Sequence, residues 1–489
     1  MPLPSALYRP SLALLTDFYQ LTMAYAAWKE GLADTEAVFT ISFRRHPYGG
    51  GFTIAAGLEL AVDYLEHFRF DEEDLAFVAA QRGADGAPLF EAGFIDHLRG
   101  LRLEVDVDAV PEGTAVFPYE PVVRVKGPII PCMLLETPLL DLVNFQTLIA
   151  TKAARVCLAA RGEPVVEFGL RRAQGVDGAL AASRAAYLGG CAGTSNVLAG
   201  RLFGIPVKGT HAHSWVMLFD DEREAFESYA RALPANCLFL VDTYDSLEGV
   251  RHAVEVGKWL RAQGKELLGI RLDSGDLAWL SIQARRLLDE AGFQKATVFA
   301  SNELDELIID SLKEQGARIA AWGVGTRLVT GQPDGALGGV YKLTAVRRPG
   351  EPWKYRVKLS ERVQKTTIPG LLQVRRFVQD GVLVADAIYD EWSGLPSPAT
   401  IVDPLDLTRR KTLDGALEGE DLLRPVFRGG ALVGPRPTLE EARARVRQQL
   451  ALLHPGVKRF VNPHQLPVGL EKGLFERRTA LVLAARGES

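Results

Sequence analysis

The sequence predicts an α/β protein: a (β/α) barrel, with a second α+β domain built from both chain ends. Three observations carry this. Short apolar runs recur at 165–168, 205–207, 238–241, 268–272, 297–300, 319–322 and 340–343. Helical segments separate most of them, clearly so at 246–263, 276–291 and 303–315, and strands alternating with helices of that length mean parallel βα units. Such a count in about 180 residues suits a barrel better than an open doubly wound sheet. Irregular helix-and-strand stretches flank this rhythm, so both flanks are expected to pack together. The domains are expected at 1–135 (N-terminal part of the α+β domain), 136–345 (the catalytic barrel) and 346–489 (the completing part and tail).

Taken in order, residues 12–30 (LALLTDFYQLTMAYAAWKE) read as a helix that Thr16 or Asp17 caps. Residues 37–43 alternate as a half-buried strand ending in Arg44, Arg45 and His46, and the PYGGGF loop at 47–52 reads as a turn. Helical periodicity fills 55–100, short strands with proline corners fill 101–126, and 131–162 reads as one long apolar-faced helix. Lys152, Arg155 and Arg161 near its end complement the helix dipole. After 345 come short strands at 355–359, 372–377 and 382–388. Thr438 and Glu441 then form a capping box opening a helix to Leu452.

Composition excludes several classes. Apolar residues make up 47% and charged residues 24% of 489, and the net charge is −5. That is no footprint for nucleic acid or an anionic membrane, so any basic site is a local pocket. Cys132, Cys157, Cys191 and Cys237 lack zinc or disulfide spacing and fit free thiols in a reducing cytosol. The N-terminal stretch has no basic leader, and no apolar run reaches the roughly 18 residues of a membrane span. A soluble, cytoplasmic protein is expected.

The chemistry follows the strands, where a barrel places its active face. GIPVKGTHAHS (204–214) delivers His211, His213 and Ser214 from a short apolar run. Imidazole serves as base, metal ligand or phosphate carrier. A metal-hydrolase pair would need further histidines from later strands, yet only His252 follows within the barrel, inside a helix. Asp273-Ser-Gly-Asp276 sets two carboxylates on a turn, suited to sugar hydroxyls or Mg²⁺, with Asp276 also placed to cap the next helix. Phe168 beside Arg171 and Arg172 suits a flat anionic ring. Gly323, Gly325, Thr326 and Arg327 lack the dinucleotide fingerprint but suit a phosphate after a late barrel strand. Together these describe a pocket for a planar acid and a phosphorylated sugar.

The motifs TDFYQLTMAYA (16–26), the block 167–214, GIRLDSGDL (269–277), WGVGTRL (322–328) and KRFVNPH (458–464) closely resemble those of the nicotinate phosphoribosyltransferase family. The resemblance runs through nearly the whole chain. It implies an irregular α/β barrel, a second domain from both termini, and a homodimer with shared active sites. The implied reaction joins nicotinate to phosphoribosyl diphosphate with Mg²⁺, giving nicotinate mononucleotide and pyrophosphate. It is coupled, without being strictly tied, to ATP hydrolysis. By resemblance, ATP phosphorylates His213, with His211 a neighbour at a variable position. Phe168 and Tyr19 would sandwich the pyridine, Tyr19 coming from the partner subunit. Arg271 would stand near the ring, and Asp273 would hold the ribose hydroxyls. Gly323, Gly325 and Thr326 would take the 5′-phosphate. Arg44, Arg171 and Arg327 would meet phosphates or the nicotinate carboxylate. A nicotinamide-specific relative carries an acidic residue where Ser195 falls, so Ser195 with Arg171 favours the acid. A catalytically silent scaffold would show degraded motifs, and these are intact.

Overall fold

A computed structural model describes residues 11–436 and 438–487. The first ten residues of the N-terminal stretch read for a leader lie outside the described residues. The chain forms two compact units: Lys152–Gly335, and a discontinuous one of Met1–Thr151 with Ala336–Ser489.

In Lys152–Gly335 the strands lie in the order Gly193–Thr194, Val165–Glu167, Ala321–Val324, Thr297–Ala300, Gly269–Leu272, Leu238–Leu240. Every neighbouring pair is parallel, and a single parallel bridge joins Thr194 to Val207. Followed sideways, this is chain order around a ring that is cut between Val207 and Leu238. It is a (β/α) barrel with one open seam. Val166, Phe299 and Ala321, with Phe168 and Leu238 against them, fill the lumen. The helices Ser246–Ala262, Leu277–Glu290 and Glu306–Glu314 each open on an aspartate, Asp245, Asp276 and Asp305, whose carboxylate accepts first-turn N–H groups.

Two strand expectations change here. The 205–207 run contributes only its bridge, since Pro206 has no N–H to offer a ladder. Gly193–Thr194 is a strand without any apolar run to announce it. Its Gly193 is required sterically, because a Cβ there would meet the Pro206 carbonyl oxygen at 2.4 Å.

A further correction concerns 340–343. This run is no barrel strand: Val340–Arg347 pairs antiparallel with Glu36–Ser42 in the discontinuous unit. A parallel crossover needs a dozen or more residues, usually helical. Between Val324 and Val340 the only helix is the four-residue Thr326–Val329. The sheet containing this pair runs Lys354–Tyr355, Val340–Arg347, Glu36–Ser42, Val123–Pro128, Asp106–Ala109, Arg424–Arg428, Ala431–Leu432, so that N-terminal strands lie in the middle with C-terminal strands on both sides. Phe39 and Tyr341 stack across it at 4.7 Å. A second sheet, of C-terminal strands, runs Arg410–Leu413, Ala399–Val402, Val468–Glu471, Val382–Asp390, Leu372–Gln379, Glu418–Asp421.

The long helix read at 131–162 is two, Ile129–Leu134 and Glu136–Ala159. Pro138 has no N–H for the Leu134 carbonyl, so the ladder breaks there; the Thr16 hydroxyl lies 3.5 Å from that carbonyl instead. Against the sequence expectation, Ile129–Ala159 is long and apolar enough by length and composition to cross a membrane. Asp141, Asn144 and Gln146 interrupt its apolar sequence and hide the stretch from a simple run count. Its best window is 56% buried within the protein, and Thr147 and Thr151 bond the backbone at Ala56 and Ile54. It packs as a core helix.

Candidate active site

The C-terminal ends of the barrel strands bring several polar loops together. Asp242, just after Leu238–Leu240, accepts the Asp273 N–H at 2.9 Å and the Ser274 hydroxyl at 2.6 Å. Asp273 in turn accepts a hydrogen bond from the Ser301 hydroxyl. His213 opens the short helix His213–Val216. Its Nε2 lies 3.9 Å from an Asp273 carboxylate oxygen, and its Nδ1 is 3.1 Å from the Thr243 hydroxyl. Arg271, one strand position before the turn, donates to the Thr210 hydroxyl at 2.8 Å. Four rim loops are thereby tied into one constellation around Asp273.

Two atoms in it carry no partner among the described residues, although both are buried: Asp242 Oδ1 and Arg271 Nε. Buried polar groups are normally paired, so each of these has a hydrogen bond left to make. Burial lowers the Arg271 pKa from its usual value while Asp273 and Asp242 oppose that, and Arg171 adds like-charge repulsion. Arg171 itself is exposed on the single turn Leu170–Arg172. The result is a rim with concentrated cationic charge beside paired carboxylates.

Phe168 follows the strand Val165–Glu167 and stacks on Phe299, ring centroids 5.7 Å apart. Phe299 is paired in register with Arg271 on one side and Ala321 on the other. Gly323 makes room for this aromatic, because a Cβ there would come within 2.7 Å of the Phe168 ring and 2.8 Å of Phe299. Beneath it, fully buried Glu167 accepts hydrogen bonds from Ser183 and Thr194 at 2.9 and 2.5 Å, fixing the strand end. Ser195 is half-buried at the neighbouring strand end, its N–H on the Glu167 carbonyl. Ser214 is exposed beside His213.

The Gly323, Gly325, Thr326, Arg327 turn is not a purely basic loop. The Thr326 hydroxyl donates to Glu303 at 2.9 Å, and Arg327 pairs with Asp305 at 2.6 Å. Burial alone would raise the Asp305 pKa, but the Ile308 N–H and Arg327 outweigh it and leave the carboxyl below its usual range. Arg327 therefore already has an anionic partner.

Two candidates belong to the discontinuous unit. Tyr19 lies on the helix Phe18–Lys29 with 48% of its surface exposed. Burial, with Glu136 and Asp17 nearby, raises its pKa. Arg44 lines a pocket with Lys342, Lys365 and Tyr119, and the buried Thr40 hydroxyl beside them makes no hydrogen bond among the described residues. Burial lowers the Lys342 pKa, and Lys358 and Arg44 lower it further.

Sequence reasoning singled out Asp273, His213, Arg271 and Phe168, which share this rim; it placed Asp242, Thr243, Thr210 and Ser301 only within the polar stretches at the strand ends and gave them no individual role. The available signal was position: Asp242-Thr243 follows its strand as Asp273-Ser274 follows the next. Asp276 is a helix cap, accepting the Trp279 N–H at 3.1 Å.

A parallel barrel with its polar loops gathered on the C-terminal strand ends has the architecture of an α/β barrel enzyme. Three family models match the chain: the nicotinate phosphoribosyltransferase N-terminal domain over residues 14–144, the nicotinate phosphoribosyltransferase family over 164–367, and its C-terminal domain over 373–478. The chain is 41% identical over 473 residues to nicotinate phosphoribosyltransferase of Bacillus subtilis, covering 96% of this chain and 94% of that one. It is 37% identical over 528 residues to the Homo sapiens protein of that name, covering 96% of each. The crystal structure of human nicotinic acid phosphoribosyltransferase superposes with a TM-score of 0.82 at 34% identity, over 95% of this chain and 99% of that one. The chain belongs to the nicotinate phosphoribosyltransferase family.

Proposed function

We infer that this chain joins nicotinate to 5-phosphoribosyl 1-diphosphate, giving nicotinate mononucleotide and pyrophosphate with coupled ATP hydrolysis, the first step of NAD salvage from nicotinate. The observation that carries the chemical reading is the linkage of His213, Asp273 and Arg271 through Thr243, Asp242, Ser301 and Thr210 on one rim.

The roles follow from charge. As pyrophosphate leaves C1, the ribose gains oxocarbenium character. Asp273, held by Ser301, is placed to bind ribose hydroxyls and to face that developing positive charge. Phe168 offers the pyridine its face, and Arg271 and Arg171 select a carboxylate over a neutral amide. The Arg44, Lys342 and Lys365 pocket takes phosphate oxygens, with the Thr40 hydroxyl, which has no partner among the described residues, as a further donor. Gly323, Gly325 and Thr326 take the 5′-phosphate, and Arg327, already paired, orders that turn. Phosphorylation of His213 adds about −1.5 to −2 charge beside Thr243 and Asp273, by analogy with other phosphorylated side chains, and reorganises the rim for substrate.

The expected metal is Mg²⁺. Among the described residues no group of three or more His, Cys, Asp or Glu could cage a bare ion. The donor set fits Mg²⁺ arriving on the diphosphate, since that ion commonly uses one or two carboxylates plus substrate phosphates. Asp242, with its unpartnered oxygen, and Asp273 would hold it. It would neutralise the charge of the departing diphosphate. The chain works in the cytoplasm as a homodimer whose barrel unit carries catalysis and whose sites are shared, the ring of nicotinate being covered by Tyr19 of the partner subunit.

Turnover with nicotinate and with nicotinamide, each with and without ATP, tests this reading. Nicotinate turnover stimulated by ATP is expected, with His213→Ala losing the stimulation. Preference for nicotinamide, or full ATP stimulation in His213→Ala, overturns it.

A further inference from the structure

His211 has no role in the chemistry above, yet it is 7% exposed and sits at the one place where the barrel ring is cut. The strand Leu238–Leu240 pairs with Gly269–Leu272 on one side only. On its other side, the Leu240 N–H donates to His211 Nε2 at 3.2 Å. Leu240 is fully buried, so without that imidazole its donor would be stranded away from water. Among the described residues no backbone ladder joins 205–212 to 236–243. The hydrogen bonds across the seam among the described residues run from the Leu240 N–H to His211 and between His213 and the Thr243 hydroxyl.

The ring is set for this task. Phe226, Tyr229 and Phe239 surround it at centroid distances of 5.9, 5.2 and 6.1 Å. Burial pushes its pKa down to about 4, outweighing the Ala212 carbonyl, which pulls it up, while Arg271 and His213 lower it a little further. The ring is therefore neutral near pH 7, as an acceptor at Nε2 must be, with Nδ1 directed at the Ala212 carbonyl 3.3 Å away. Thr210 on one side is held by Arg271, and His213 is two residues along on the other.

We propose that His211 is a positioning residue: its side chain stands in for a missing strand, closes the barrel seam on Leu240, and thereby fixes the loop that presents His213. The kinetic consequence rests on the reading of His213 as the phosphorylated residue, whereas the seam itself does not.

The test compares the full-length protein with His211→Leu, which removes the acceptor, and His211→Gln, whose amide oxygen can replace Nε2. Hydrogen exchange is followed at Leu240 and at 209–214, together with transfer of the γ-phosphoryl of ATP to His213 and steady-state kinetics. In His211→Leu, exchange at Leu240 rises at least about tenfold. Phosphorylation of His213 and ATP-stimulated kcat fall about ten- to hundredfold, as for a displaced reactive group, while the nicotinate KM stays within about twofold. His211→Gln restores both to within about threefold of wild type. If His211→Leu does not fold, His211→Asn, too short to reach Leu240, takes its place in the same comparison. Wild-type exchange and phosphorylation in the variant lacking the acceptor, or equal damage in His211→Gln, overturns the proposal. A wild-type protein that takes up no phosphoryl group at His213 sinks the phosphohistidine reading, while exchange at Leu240 still decides the seam.

Discussion

Asp273 is the residue on which the rim loops meet: its N–H donates to Asp242, one carboxylate oxygen accepts a hydrogen bond from the Ser301 hydroxyl, and the other faces His213. A group held by fixed partners stabilises a developing charge without reorganising, and removing such an interaction costs about 10²- to 10³-fold in kcat. Asp273→Asn should lose activity on that scale in steady-state assays, with the melting temperature little changed. His211 makes a different prediction at this scale. Its folded pKa of about 4 lies below the ordinary 6.5, so between those values the unfolded chain takes up a proton that the folded ring refuses. Its contribution to stability is whole above that window and is lost as pH falls through it, by at most about 1.4 kcal/mol per pH unit. Denaturant titrations at pH 7, 5.5 and 4.5 should show a steeper loss in wild type than in His211→Gln. Asp273, His213 and Phe168 were legible in the sequence because each is announced locally, by a strand followed at once by a reactive side chain. Asp242, Thr243 and Ser301 stand at strand ends in the same way, but what they do depends on partners about 30 residues away, which no local pattern records.

Elements explain what periodicity could and could not deliver. Helices of ten residues or more repeat their apolar stripe often enough to be read. A two-residue strand such as Gly193–Thr194 repeats nothing, and its identity depends on the Pro206 carbonyl beside it. The 340–343 run shows the opposite error: its β character was legible, but whether it joined the barrel turned on the missing crossover helix. The same logic applies to the junction of Val165–Glu167 with Ala321–Val324, where Gly323 leaves space for the Phe168 ring. Overpacking of this kind costs typically 1–3 kcal/mol. Gly323→Ala should therefore lower denaturant stability by about that amount. It should also raise the nicotinate KM about two- to tenfold by tilting the ring proposed above to face the pyridine, a contact worth about 0.5–1.5 kcal/mol. Isothermal binding and kinetics on one preparation read both effects.

Across the whole molecule, the discontinuous unit is fastened by a buried charge cluster contributed from distant parts of the sequence. Arg376 bonds both oxygens of Asp386, the Gln449 amide at 2.5 Å and the Ala115 carbonyl at 2.7 Å, and lies over the Phe117 ring. Burial, then Asp386, hold the neighbouring Glu120 carboxyl well above its usual pKa. Removing one partner of such a pair strands a buried charge, so Arg376→Met should destabilise the protein by about 3–5 kcal/mol in urea titrations. The βα rhythm and the irregular stretches on either side of it announced two domains, but the pairing of Arg376 with Ala115 lies beyond any local reading. The same interleaving has a consequence for biosynthesis. Glu36–Ser42 has Val123–Pro128 on one side and Val340–Arg347 on the other. The second neighbour leaves the ribosome about 300 residues after the first strand, a wait of tens of seconds at ordinary translation rates of about 5–20 residues per second. Through that interval a nascent chain carries a naked sheet edge, which makes this segment the natural place for a chaperone to hold.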